Sequence, residues 1–337
     1  MKICIVGGCG HADSACKAAE QGVNFEVGGI CPSYPNDLYM EYIVKRFKES
    51  GKVLRIYPDM DTMTEKEHPD ILIVDGMYGQ HGPMSCNALR KGMHVLCDKP
   101  AAVTREQYDT LCQTVKESKN RYWSILTSRY DPWFSTAKRL VDEGRIGEIR
   151  LINGQKSYKL GKRPDFYSDA FLYGGTISWV AVHMVDLILW MTGKECVRVS
   201  AFGSSKANGG NGSLEASVIC AMELVDGVTA SIQADYLRPE YAATHGDDRI
   251  RIVGTKGSIE VFEEKVYLMN ETSPMPVSIP VDETPLLVEE FLDAVSGKGN
   301  TRIDEKQSLY TSYVALELTR AMREKRVIIL KERGYVI

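Results

Sequence analysis

The first twenty residues constrain this chain most. A short apolar strand, Ile3-Cys4-Ile5-Val6, runs into Gly7-Gly8-Cys9-Gly10-His11-Ala12, followed by a segment of small helix formers, Asp13 to Gln21, that stops before Gly22. Three glycines in four positions permit backbone angles closed to other residues and keep side chains away from whatever lies against the turn. The first N–H groups of the helix point back at that turn as an anion site. Strand, tight turn and helix start together make the pyrophosphate cradle of a dinucleotide fold. Read from Gly7, the pattern G-x-G-x-x-A is met at Gly7 and Ala12, with Cys9 in the middle place. Read from Gly8, its last place falls on Asp13. The first register is better, because alanine serves at the third position and Gly10 restores room. The candidate cofactor contacts here are Gly7, Gly8, Cys9, Gly10, His11 and Ala12.

Strands and helices alternate beyond the turn. Phe25 to Ile30 reads as a second strand, ending in Cys31-Pro32-Ser33-Tyr34 where a dinucleotide fold carries an acid for the adenosine ribose. No carboxylate follows Ile30 directly, so Cys31 and Ser33 are the local candidates and the choice between NAD and NADP stays open. After a helix over residues 38–49 and a short strand over 53–57, Asp70-Ile71-Leu72-Ile73-Val74-Asp75 reads as a buried parallel strand. Ligands of open α/β sheets bind beyond such carboxyl ends, which adds Asp75, Gly76 and His81. A helix over 83–91, a strand over 94–97, a helix over 104–117 and a strand over 122–127 close a Rossmann domain near residue 125.

Composition bounds what this fold can serve. A chain of 337 residues, 44% hydrophobic and 26% charged, is globular and long enough for two domains. A net charge of −4, with lysine and arginine scattered among acids, leaves no basic stripe for nucleic acid. Nine cysteines without a C-x-x-C argue against disulfides and structural zinc, and point to a reducing cytoplasm. No metal cluster, signal peptide or membrane-spanning run is expected.

The second half alternates at strand lengths over 149–158, 197–203, 216–224, 228–236, 250–253 and 258–262, then ends in helices over 285–295 and 305–323. The expected class is α/β: a Rossmann domain over residues 1–125, and over residues 126–337 an α/β domain with a large, mostly antiparallel, open-faced sheet. Between its strands lies a helix whose only ionisable groups from Ile177 to Met191 are His183 and Asp186. Such a helix is buried rather than membrane-spanning. Trp179, His183 and Asp186 fall on one face, where the charge-capable pair either satisfies itself or lines a cavity.

Two segments carry a family resemblance. Gly92-Met93-His94-Val95-Leu96-Cys97-Asp98-Lys99-Pro100 resembles the G-x-H-V-x-x-E-K-P stretch of the Gfo/Idh/MocA oxidoreductases, with aspartate for glutamate. The run from Gly174 to Asp186 is similar to that family's G-G-G-x-x-x-D-x-x-x-H-x-x-D: His183 and Asp186 match, while Trp179 stands at the catalytic aspartate's place. Tyr236 to Pro239 and Thr244 to Arg251 also look family-like. The resemblance implies Lys99 and His183 as the catalytic pair, Asp98, Lys99 and Pro100 beside the cofactor, and NAD or NADP as that cofactor. It further implies a small-molecule polyol, sugar, inositol, sugar acid or glycoside as substrate. Tyr158, Arg163, Arg238 and His245 are donors suited to it, with Trp179, His183 and Asp186 beside them. A homodimer or homotetramer through the open sheet face, residues 150–270, is implied as well. Histidine has the intrinsic pKa to take a hydroxyl proton, and a lysine at the cofactor edge polarises the oxygen. Two other readings accompany this one: redox-neutral glycoside cleavage through a 3-keto sugar with cofactor recycling, and a non-catalytic dinucleotide-binding sensor.

Overall fold

Every buried strand of the N-terminal half has its apolar residues on both faces, and the chain therefore sandwiches one sheet between helices. In a computed structural model that describes residues 1–35 and 37–330, the order is β1 (Lys2–Gly7), α1 (Asp13–Glu20), β2 (Glu26–Cys31), α2 (Leu38–Glu49), β3 (Arg55–Ile56), α3 (Met60–Glu67), β4 (Ile71–Asp75), α4 (His81–Arg90), β5 (His94–Asp98), α5 (Arg105–Glu117) and β6 (Tyr122–Ile125). The strands are parallel, in the spatial order β3-β2-β1-β4-β5-β6. Strand order reverses between β1 and β4, so the ligand crevice lies over their carboxyl ends, where Gly7 and Asp75 are register partners.

The second half opens with α6 (Pro132–Asp142) and continues through β7 (Ile149–Tyr158), α7 (Ala170–Tyr173), α8 (Val182–Thr192), β8 (Cys196–Ser204), β9 (Ser217–Leu224), β10 (Thr229–Asp235), β11 (Gly246–Gly254), β12 (Gly257–Phe262), β13 (Lys265–Asn270), β14 (Ser273–Ile279), α9 (Leu287–Val295), α10 (Glu305–Glu324) and β15 (Ile328–Ile329). Its strands form one sheet, β14-β13-β12-β11-β7-β10-β9-β8-β15, antiparallel except where β7 runs parallel to β10. Strands β13 and β14 extend it beyond the alternation read from sequence. β14 is exposed along most of its length and carries Pro274 and Pro276, which suits an edge.

Period-two burial divides the faces of this sheet. Cys220, Ile232 and Ile252 point inward beneath α8 and α10, while Phe202, Ile219 and Gln233 point outward. The apolar run Ala170–Thr192 is long enough to cross a membrane by length and composition, yet 94% of its most apolar window is buried inside the protein. It is core. Helix α10 touches both halves: Ser308 Oγ accepts from the Ser124 N–H of β6 at 3.1 Å, and Thr319 Oγ1 lies 3.3 Å from Ser178 Oγ.

Candidate active site

The glycine turn is built as its sequence requires. Gly7 has a φ of +76°, in the left-handed region, and a Cβ there would lie 2.5 Å from the Asp75 carbonyl oxygen. The N–H groups of His11 and Ala12 converge on one spot, which the Asp75 carboxylate occupies, accepting at 3.2 and 2.9 Å; the Gly10 N–H joins them. The start of α1 thus presents converging N–H donors, which a carboxyl group of the protein takes up, and these donors fit the pyrophosphate of a dinucleotide. Asp75 and Asp98 are both fully buried and adjoin each other. Burial first, then the Asp98 charge, pushes Asp75 well above the usual carboxylate range. Burial also acts to raise Asp98, but the neighbouring His11 and Lys99 outweigh it and hold this carboxyl low. His11 Nδ1 lies 3.1 Å from Asp98 Oδ1, and the Lys99 N–H donates to the same oxygen at 2.8 Å.

The other cofactor candidates separate into contacts and supports. Cys31 is buried at the end of β2, and Ser33 leans on Gly76, where a Cβ would come within 2.6 Å of the Ser33 Cβ. The expectation of no local carboxylate needs correcting in space, because Asp37 lies here. Its Oδ2 accepts from the Ser33 N–H and hydroxyl at 3.3 and 3.2 Å, and its Oδ1 from the Met40 N–H at 3.3 Å, as the cap of α2. His81 is fully buried, with ring nitrogens 2.9 Å from the Pro100 carbonyl oxygen and 3.0 Å from that of Gly76. It ties the ends of β4 and β5 together, with both ring nitrogens engaged by backbone carbonyls. Burial lowers its pKa.

Lys99 and His183 come from different halves and meet around two rings. Lys99, at the end of β5, is buried; its Nζ lies 2.8 Å from the Trp179 ring centroid and donates to the Trp179 carbonyl at 3.1 Å. That carbonyl belongs to a wide π-turn, Ile177–Ala181, whose loosened ladder leaves an oxygen for the lysine. Burial, together with repulsion from Lys156 and against attraction from Asp98, brings the Lys99 pKa down to about 7. His183, in the first turn of α8, is fully buried, and its Nε2 has no hydrogen-bond partner among the described residues. Burial, then the charge of Lys156, lowers its pKa well below the ordinary histidine value, so the ring is a neutral acceptor. The His11 ring bridges the pair, 5.9 Å from Trp179 and 5.5 Å from His183. Trp179 stacks on Tyr78 at 4.0 Å, and the Tyr78 hydroxyl lies 2.6 Å from that of Tyr167.

Asp186 leaves this company. Its carboxylate receives Arg129 Nε at 2.8 Å and NH2 at 2.6 Å and also Thr311 Oγ1 at 3.1 Å, all out of contact with solvent. The structure seats it on the guanidinium of Arg129, just beyond β6, rather than on His183. Arg238 is likewise engaged by Thr244 and Asp247, and His245 is exposed, stacked on Tyr158 at 5.1 Å. Arg163 sits over Tyr236 at 4.6 Å, with a buried Nε lacking a partner among the described residues.

Three residues without a motif join the cleft. Lys156 on β7 is buried, paired with Asp248 of the neighbouring strand β11, and near enough to His183 and Lys99 to oppose protonation of both. Asp248 Oδ1 has no partner among the described residues. Asp131, ahead of α6, is raised to about 7 by burial, with the Lys156 charge opposing. The available signal was Lys156 itself, a charge at an inward position of an alternating strand beside Gly154 and Ile152.

Comparison with known proteins follows this geometry. Residues 1–125 match the oxidoreductase family with an NAD-binding Rossmann fold, and residues 134–260 match the Gfo/Idh/MocA C-terminal domain. An inositol 2-dehydrogenase of Rhizobium meliloti (strain 1021) is 25% identical over 200 residues, a match that spans 58% of this chain and 58% of that relative. The structure of a putative oxidoreductase from Thermotoga maritima is 36% identical, with a TM-score of 0.93 over 98% of this chain and 100% of that one. The myo-inositol 2-dehydrogenase of Lactobacillus plantarum shares the fold at 19% identity, with a TM-score of 0.76 over 98% and 99% of the two chains. With both family models matched in order along the chain, and a solved structure 36% identical over 98% of it, this chain belongs to the Gfo/Idh/MocA oxidoreductases.

Proposed function

We propose that the chain transfers a hydride between NAD or NADP and a secondary hydroxyl of a sugar, inositol, sugar acid or glycoside, with the domains divided near residue 125. The supporting observation is that Lys99, on the Trp179 ring, and His183, against the His11 ring, come from separate halves to two rings only 5.9 Å apart, near enough for the Lys99 charge to act on His183. The N–H groups of Gly10, His11 and Ala12 would hold the pyrophosphate, with Gly76, Asp98 and Lys99 at the edges of β4 and β5. When bound, the nicotinamide supplies the hydride acceptor. His183 Nε2, neutral and unpartnered, takes the hydroxyl proton. Lys99, in its charged form, stabilises the oxygen from which that proton leaves. Lys156, Asp248 and Arg163 place further donors and acceptors for a polyol around the same space.

Relatives named as inositol dehydrogenases support the substrate class at low identity. The test is calorimetric titration with NAD, NADH, NADP and NADPH, then a polyol and glycoside screen read by nicotinamide absorbance. Saturable binding followed by nucleotide reduction is expected. Binding of none of the four would end this reading.

A further inference from the structure

The Asp75 carboxylate stands where the fold offers a dinucleotide its firmest anchor. We propose that Asp75 is an internal competitor for the pyrophosphate at the start of α1, so that a dinucleotide binds this chain by displacing the protein's own carboxylate. The proposal rests on the reading of the turn as the cofactor site.

Both carboxylate oxygens are engaged, Oδ1 by His11 N–H and Oδ2 by Ala12 N–H. These are the donors that a helix start presents to a phosphate. Strand register delivers the side chain to them: Asp75 ends β4 directly opposite Gly7, and its backbone carbonyl accepts from the Cys9 N–H at 3.0 Å. Gly10 completes the arrangement. A Cβ there would lie 1.7 Å from Asp98 Oδ2 and 2.6 Å from Asp75 Oδ1, so the space made by this glycine admits the protein's own two carboxyl groups. A tethered side chain has no translational freedom to lose on reaching the site, whereas a dinucleotide does. The pyrophosphate must also approach two neighbouring carboxyl groups. A dinucleotide held against such competition is bound modestly and exchanges readily, which suits release in every turnover better than retention across many.

The test compares wild type, Asp75→Ala and Asp75→Asn by calorimetric titration with each of the four nucleotides, with melting temperature measured on the same preparations. Losing the two competing hydrogen bonds should tighten binding by about tenfold to a hundredfold in Asp75→Ala. Asp75→Asn, which keeps the shape and one of the two acceptor oxygens, should tighten it less. A folded variant that binds no tighter than wild type overturns the proposal alone, leaving the cofactor site intact. Absence of binding to all three proteins overturns the proposal and the cofactor reading together. Should neither variant fold, a wild-type crystal soaked with cofactor decides: the Asp75 carboxylate is expected to have left His11 and Ala12. A pyrophosphate seated with both contacts kept refutes displacement.

Discussion

Lys99 is a residue that works against the fold around it. Its folded pKa of about 7 lies below the ordinary lysine value of 10.5, so between these two values the unfolded chain binds the extra proton. Stability contributed through this group therefore rises with pH across that window and is least below pH 7. Lys99→Met should raise the melting temperature at pH 6 while removing turnover, a combination that differential scanning calorimetry and a kinetic assay check together. Turnover that needs the ammonium should fall as pH rises through about 7, and Lys99→Arg should carry that limb to higher pH. His183 makes the complementary prediction. Its Nε2 holds no partner among the described residues and Asp186 is bound to Arg129, so His183→Ala should retain nucleotide affinity and fold yet lose roughly two to four orders of magnitude in turnover. Asp186→Ala should do the reverse. An unpaired, buried Arg129 costs about 3–5 kcal/mol of stability, measurable by urea unfolding, with the catalytic chemistry untouched in the protein that remains folded. Histidine and lysine were legible from their motifs. Asp186 was not, because the sequence places it one turn from His183 but gives no sign that Arg129, 57 residues earlier, claims it.

At the scale of elements, boundaries were legible wherever periodicity and turn chemistry agreed. The helix over 38–49 and the strand over 149–158 lie where alternation placed them. Strands β13 and β14 escaped notice because an edge strand buries one face or none, and β14 shows no inward apolar series. Helix α3 escaped because only Met60, Met63, Thr64 and Glu67 of its eight residues are buried, while Asp59 starts it by accepting from the Thr62 N–H at 2.7 Å. The end of β2 shows the same limit with a functional consequence. Asp37 follows Cys31 by six residues, and only the bend of the chain returns it to Ser33. Its carboxylate already accepts from Ser33 and Met40, which weakens its grip on the ribose hydroxyls without taking an acid out of the path of a 2′-phosphate. Affinities for NADH and NADPH should consequently differ by less than about a hundredfold, or roughly 3 kcal/mol, when both are titrated under one buffer.

For the molecule as a whole, the exposed face of the nine-stranded sheet raises the question of assembly. Phe202 and Ile219 stand on it at 74% and 52% exposure among Asn153, Gln155, Gln233 and Arg251. We expect association into a homodimer or homotetramer through residues 150–270, and light scattering at micromolar concentration should give a mass of two or four chains. Charged substitutions at both Phe202 and Ile219 should return it to one. Helix α10 carries a different consequence. It closes the inner face of the second sheet while its Ser308 accepts from the edge of the first, so the last helix among the described residues seals a sheet whose final strand ends some 180 residues earlier. During synthesis the dinucleotide half must wait, its β6 edge uncovered, until Glu305–Glu324 has left the ribosome. Swapping halves between relatives at residue 125 alone would separate that edge from the helix that evolved to cover it. A recombinant that exchanges residues 1–125 together with the α10 face should fold where the simple exchange aggregates.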